Sequence, residues 1–188
     1  MNIVTIYGGP RVDGNTATVL GWVEDALREK RRTVKRFNAN TLDIRGCQGC
    51  YACTQSTDAP GCVVQDDMQQ VVSAMADAEA IVYASPLYMW GVAGQLKAVY
   101  DRGMCLVKDF MGPNHRSFVE GAKATLLMTC MGPVENNSEW ARDQFLRYAG
   151  YAKLDVIDPW IVAGCSSPDQ LSGDVRAKAA ELAAKLID

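Results

Sequence analysis

Three short runs in this chain leave neither face polar: "NIVTIY" at 2–7, "EAIVYAS" at 79–85 and "KATLLMTC" at 123–130. A strand of that kind has to be covered on both sides, which is the position of a strand in a parallel sheet held between two helical layers. Helical spacing fills the intervals. From residue 15 to about 30, Val19, Trp22, Val23, Ala26 and Leu27 share one face and the charged residues take the other. "DDMQQVVSAMADA" reads as a helix capped by Asp66, with Gln69 placed as in a capping box. A helix through "GQLKAVYDRGM", another over 137–149 and a last one over 170–187 complete the set. "TVKRF" at 33–37 alternates weakly, as an edge strand does, and a strand over 154–162 carries Pro159, which also suits an edge.

Strands alternating with helices throughout predict an α/β domain of three layers. Five strands suit a flavodoxin-like, doubly wound parallel sheet in the order 2-1-3-4-5. No repeat, low-complexity tract or linker divides the chain, so residues 1–188 are read as one domain with a cysteine-rich loop at 46–62. Residues 104–121 form the one long, poorly patterned connection.

At 188 residues the chain can bury a core without disulfides or a structural metal. A net charge of -3 gives no electrostatic case for nucleic acid or an anionic membrane. The apolar start is too short for a secretory segment, and no stretch approaches the length needed to span a bilayer. A cytoplasmic location is the expectation, and thiols stay reduced there, so clustered cysteines point to metal or redox chemistry.

The first strand runs into "GGPRVDGNT", residues 8–16, which opens the first helix. Such a turn offers backbone N–H groups and the positive end of a helix dipole to an anion. The Lys of a P-loop is missing, and so is the dinucleotide pattern G-x-G-x-x-G. What remains suits one terminal phosphate, with Arg11 adding charge; a plain Gly/Asn turn is the local alternative. In an open parallel sheet ligands bind beyond the carboxyl ends of the strands. The loops "SPLYMWG" and "TCMGPVENNS" belong to that edge, and an aromatic slot beside a phosphate anchor suits a planar ring on a phosphorylated tail.

In order and spacing, "GGPRVDGNT", "CQGCYACTQSTDAPGCVVQDDM" and "ASPLYMWGVAGQLKAVYDR" resemble the NAD(P)H-dependent FMN reductase family and its iron–sulfur flavoprotein branch. The resemblance covers roughly residues 2–130. It implies bound FMN, NAD(P)H as hydride donor to the flavin, a small-molecule or protein electron acceptor, and homodimers or homotetramers. By position, Gly9, Arg11, Asn15 and Thr16 would hold the phosphate. Pro86, Leu87, Tyr88, Met89, Trp90 and Gly91 would line the ring and ribityl chain, and Thr129, Cys130, Met131 and Gly132 would meet the far side of the ring. Relatives often have Ser where this chain has Gly9, and that hydroxyl is lost here. No acid–base residue is required, because the cofactor carries the chemistry; the single histidine, His115, is read as a solvent-facing loop residue.

The cysteine segment reads C-x2-C-x2-C-x8-C through Cys47, Cys50, Cys53 and Cys62. Short gaps with small neighbours let one irregular turn direct several sulfurs inward, as a [4Fe–4S] cluster requires. The resemblance supports that ligand set, although the last gap is longer than in the branch. A metal-free thiol loop and a structural zinc site stand as alternatives, and a non-enzymatic electron carrier stands beside the reductase. Cys105, Cys130 and Cys165 are read as small buried hydrophobes. "LKAVYDR" at 96–102 is read as helix-surface pairing and a subunit contact in place of a catalytic group.

Overall fold

The computed structural model describes residues 2–55 and 58–188. The sheet is built from β1 (Asn2–Tyr7), β2 (Thr33–Asn38), β3 (Ala80–Tyr88), β4 (Gly91–Val92), β7 (Lys123–Thr129), β8 (Asp155–Val156) and β9 (Trp160–Val162). A separate two-stranded ladder joins β5 (Val107–Lys108) to β6 (Arg116–Ser117). The helices are α1 (Asn15–Glu29), α2 (Met68–Ala76), α3 (Gly94–Arg102), α4 (Glu139–Tyr151) and α5 (Gly173–Ile187). The parallel strands run in the order β2-β1-β3-β7-β8, with β9 also pairing β7, which is the five-strand order expected.

Alternation within the central strands divides the interior in two. In β1, Ile3 and Tyr7 face a core with α1 and α5, whereas Val4 and Ile6 face one with α2, α3 and α4. β3 repeats the pattern: Ala80, Val82 and Ala84 on the first side, Ile81 and Tyr83 on the second. The period of two along each strand and the cover on both faces are why these segments carry no polar stripe.

The fifth strand differs from the continuous one expected over 154–162. β8 pairs with the start of β7 and β9 with its end. Between them the Ile157 N–H still bonds the Ala124 carbonyl at 2.8 Å, and the Thr125 hydroxyl takes up the Asp158 carbonyl at 3.2 Å. Pro159 has no N–H to continue the ladder, so the strand breaks there. The connection over 104–121 also holds more structure than its pattern suggested, since the β5–β6 ladder is two residues deep and too short to show a period. Among the described residues no helix is long and apolar enough to cross a membrane.

Candidate functional site

The glycine pair at the end of β1 is set by close approach. A Cβ on Gly8 would collide with Leu96 and lie 3.1 Å from the Leu96 nitrogen, so only glycine lets the loop press against α3. The loop then turns through residues 9–14 into α1. Its first-turn N–H groups have no acceptor inside the helix. Asn15 and Thr16 are buried there: the Asn15 Nδ2 donates to the Cys165 carbonyl at 3.1 Å, and the Thr16 and Thr129 hydroxyls meet at 2.7 Å. The second contact ties the first turn of α1 to the end of β7.

These residues meet in one small cleft lined by Tyr7, Arg11, Asn15, Thr16, Pro86, Tyr88 and Thr129, among others, so three strand ends contribute to it. The buried Asn15 Oδ1 has no donor there, an acceptor that a ligand hydroxyl would satisfy. The enclosed space is about 20 Å³, roughly that of one water, and the Tyr7 hydroxyl donates to the Arg11 carbonyl beside it. A phosphate would enter by displacing that contact and the exposed Arg11 and Tyr88 side chains. The donors are right in kind for it: first-turn amides, two hydroxyls and a guanidinium.

The other expected residues are distributed around this cleft. "PLYMWGV" is a hairpin and not an open loop: Leu87 pairs with Val92 and Tyr88 with Gly91, and Met89 and Trp90 form the turn at φ 46° and 60°. Positive φ at both central residues is what a two-residue type I′ turn demands, and these two side chains are poorly suited to it. Leu87 packs into the α2/α3/α4 core. Met89 and Met131 are 85% and 75% exposed and present thioethers to solvent. The Cys130 thiol is buried and points to the Gly132 carbonyl at 3.3 Å, while Gly132 lies against Asn137. Gly9 is buried beneath Tyr7.

The cysteine segment lies against the other core. Cys47, Cys50, Cys53 and Cys62 line one cavity of about 410 Å³ together with Val64, Arg102, Met104, Cys105 and Phe110. Its walls are clamped from several sides. Gln69 donates to the carbonyls of Cys62 at 2.8 Å and Val64 at 2.9 Å, so it holds the thiol segment instead of closing a capping box. Asp66 does accept the Met68 N–H, at 3.1 Å, but its main partner is Arg102. Burial alone would raise the Asp66 carboxyl; the Arg102 hydrogen bonds and the N–H groups of Arg45 and Met68 outweigh it and hold the group below its ordinary value. Arg102 is therefore no part of a helix surface. Only the Lys97–Asp101 pair, at 2.6 Å, is the exposed helix pairing expected of that segment.

A second buried cation stands nearby. Lys108, 1% exposed, donates to the Cys53 carbonyl at 2.7 Å and lies over the Phe118 ring. Cys105 is buried as expected, yet it faces the thiol cavity. Burial pushes its thiol up to about 12, and the nearby Cys62 and Cys53 add to the rise. Among the described residues no group of three or more His, Cys, Asp or Glu side chains converges as a metal site. The thiols thus match an iron–sulfur cluster in kind and number but not in arrangement. Ser56 and Thr57, within the Cys53–Cys62 gap, lie outside the described residues. His115 is anchored, not free: its Nε2 meets the Tyr151 carbonyl at 2.8 Å and its ring packs 4.9 Å from that of Tyr151.

Tyr7, Arg102, Lys108 and Cys105 are the functional candidates that sequence reasoning missed. An aromatic residue just before the glycine pair was the available signal for Tyr7. Nothing local marks Arg102 or Lys108 as buried.

Comparison with known proteins agrees with this architecture. Among solved structures, the FMN-dependent NADH-azoreductase of Bacillus anthracis, in complex with FMN, superposes with a TM-score of 0.71 at 15% identity over 100% of both chains. The NAD(P)H:quinone oxidoreductase of Methanothermobacter marburgensis superposes with a TM-score of 0.68 at 17% identity, over 98% of this chain and 93% of its own. At such identities the likeness speaks for the flavodoxin-like fold alone. An iron-sulfur flavoprotein of Archaeoglobus fulgidus is 38% identical over 105 residues, 56% of this chain and 52% of the relative. One from Methanosarcina thermophila is 31% identical over 106 residues, 56% of this chain and 54% of the relative. The chain spans about half the length of these curated relatives. The family model described as NADPH-dependent FMN reductase matches residues 1–163, and with most of its length so matched the chain belongs to that family.

Proposed function

We propose that the chain is an FMN-dependent NAD(P)H oxidoreductase that passes electrons from a nicotinamide, through the flavin, to a small-molecule or protein acceptor. The observation that carries this reading is the meeting of three strand ends in one cleft, with Arg11, Asn15, Thr16 and Thr129 gathered at a helix N-terminus. FMN, when bound, supplies hydride acceptance and one- or two-electron delivery. The protein's part is to bind and orient it. Arg11, Thr16 and the first-turn N–H groups of α1 that follow Gly14 would hold the phosphate, and the Asn15 Oδ1 would accept from a ligand hydroxyl. Pro86 to Gly91 would give the isoalloxazine an apolar wall through the Met89–Trp90 hairpin turn, and the segment Thr129 to Gly132 would lie on its far side. The exposed Met89, Trp90, Met131 and Trp140 are apolar surface around the site that a homodimer or homotetramer would cover.

The test is to reconstitute the protein with FMN, remove free flavin, and follow NADH and NADPH oxidation with a flavin or quinone acceptor. Retained flavin absorption with turnover supports the proposal. Absence of bound flavin after reconstitution ends it.

A second reading adds an iron–sulfur cluster and makes the protein an electron carrier. The cavity lined by Cys47, Cys50, Cys53, Cys62 and Cys105, with Arg102 in its wall and Lys108 on the Cys53 carbonyl, favours it, since buried cations suit an anionic metal–thiolate group. The thiols would have to draw together to hold it. Iron and acid-labile sulfide assays on protein purified without oxygen decide between this reading and a metal-free thiol loop.

A further inference from the structure

Tyr7 is the last residue of β1 and points to the α1/α5 side of the sheet, where it is almost fully buried. Its ring fills the space that a side chain on Gly9 would enter. A Cβ built on Gly9 would fall on the Tyr7 hydroxyl oxygen and lie 2.6 Å from Cζ and 2.9 Å from Cε2 of the ring. Cβ atoms do not approach other heavy atoms so closely, so the tyrosine at 7 and the absence of a side chain at 9 are one feature. The hydroxyl lines the same cleft as Arg11, Asn15, Thr16 and Thr129, and its partner is the Arg11 carbonyl. The Arg36 guanidinium stands 5.7 Å from the ring centroid and fixes its outer face.

We infer that the Tyr7 hydroxyl supplies the donor that Gly9 cannot, and that it binds the phosphate of the cofactor, an inference that rests on the FMN reading above. When a phosphate oxygen enters, the O–H turns from the Arg11 carbonyl to the anion. The loop contact is exchanged for a charge-assisted bond, which is the stronger of the two. Burial raises the Tyr7 phenol above its ordinary value, so it keeps its proton and remains a donor at neutral pH. Residues 7 and 9 then form an exchangeable pair: a hydroxyl fits on either position, and the two side chains do not fit together.

The experiment measures binding of FMN and of riboflavin, which lacks the phosphate, by flavin fluorescence titration of the full chain and of Y7F, Y7A, G9S and Y7A/G9S. Each variant's fold is verified by circular dichroism and thermal melting. Y7F keeps the ring and is expected to weaken FMN by roughly tenfold or more, the worth of one hydrogen bond to a charged group, with riboflavin unchanged. G9S alone is expected to weaken FMN because its side chain meets the ring, whereas Y7A/G9S binds FMN more tightly than Y7A. The inference is overturned if Y7F binds FMN like the parent, if FMN and riboflavin lose affinity equally, or if Y7A/G9S is no better than Y7A. A parent protein that binds neither flavin removes the FMN reading itself, a result distinct from each of these.

Discussion

Arg102 grips Asp66 with both ends of its guanidinium, Nη1 to Oδ2 at 2.7 Å and Nη2 to Oδ1 at 3.0 Å, and both side chains are shut off from solvent. Arg102 also donates to the carbonyls of Arg45 and Val64, the residues that flank the thiol segment. The pair therefore pins both ends of that segment to the C-terminus of α3. Replacing Arg102 by Met leaves a covered carboxylate without its cation and is expected to cost about 3–5 kcal/mol. R102K should recover little, because an ammonium cannot reproduce the fork. Urea unfolding measures the loss, and limited proteolysis should show faster cleavage within 46–62. Unchanged stability and cleavage would show that the pair does not hold the segment.

The same carboxylate sets a response to acid. Its value is depressed in the folded protein from an ordinary 3.8. Between the depressed value and the ordinary one the unfolded chain binds the extra proton, so stability rises with pH across that window. Asp66 thus contributes fully above about pH 4 to 5, and the contribution fades as pH falls below the ordinary value toward the native one. Comparing the acid limbs of the parent and D66N by thermal melting tests this. D66N should start less stable at neutral pH and lose less on acidification; parallel curves would contradict it.

The Met89–Trp90 turn stores strain. An L-residue in the left-handed region costs roughly 1–2 kcal/mol, and both residues sit there. M89N/W90G supplies the side chains such a turn favours. We expect a gain of about 1–2 kcal/mol in urea unfolding, by the same principle, together with weaker flavin binding through loss of the apolar surface. A fall in the unfolding midpoint would show that the two side chains stabilise the hairpin through contacts that outweigh the strain.

Thiol accessibility separates the cysteines into three groups, with Cys53 and Cys62 half-buried between the extremes. Cys47 and Cys50 are exposed, whereas Cys105, Cys130 and Cys165 are buried. In metal-free native protein, iodoacetamide should label the first pair quickly and leave the last three intact until denaturant is added, as peptide mass spectrometry would record. Rapid labelling of Cys105 would mean that the cavity opens on the labelling timescale. Protection of Cys47 and Cys50 in protein purified without oxygen, reversed by a chelator, would point to bound metal.

Much of this was legible from residues alone, for reasons that are physical. β1, β3 and β7 are covered on both sides, and their unbroken apolar runs say so. The loop 8–16 is readable as a tight strand-to-helix turn because its glycines are set by close approach, Gly8 to Leu96 and Gly9 to Tyr7, a spelling that an anion site and a plain turn share. Arg102 and Lys108 were not legible, because a charged residue is ordinarily at the surface and only tertiary partners such as Asp66 and the Cys53 carbonyl bring it inside. The hairpin at Met89–Trp90 escaped for the opposite reason: its backbone adopts a turn that its residues do not prefer. Tyr7 was read as one more apolar position of a strand, since nothing in the string shows that its hydroxyl reaches past Gly9 into the cleft.

The sheet is a partition, and the partition separates obligations. Cys53 and Cys62 rest on the core beneath α2, α3 and α4, whereas Tyr7 and the opening of α1 belong to the core on the opposite face. A change in the thiol segment is felt chiefly in one compartment and a change at the opening of α1 chiefly in the other, with Gly8 against Leu96 of α3 as the link between them. Residues 46–62 answer first to α2, α3 and α4, and through Arg45 and Val64 to the guanidinium of Arg102. One frame can therefore change its thiols on one face while the packing at the start of α1 on the other face is set mainly by different neighbours.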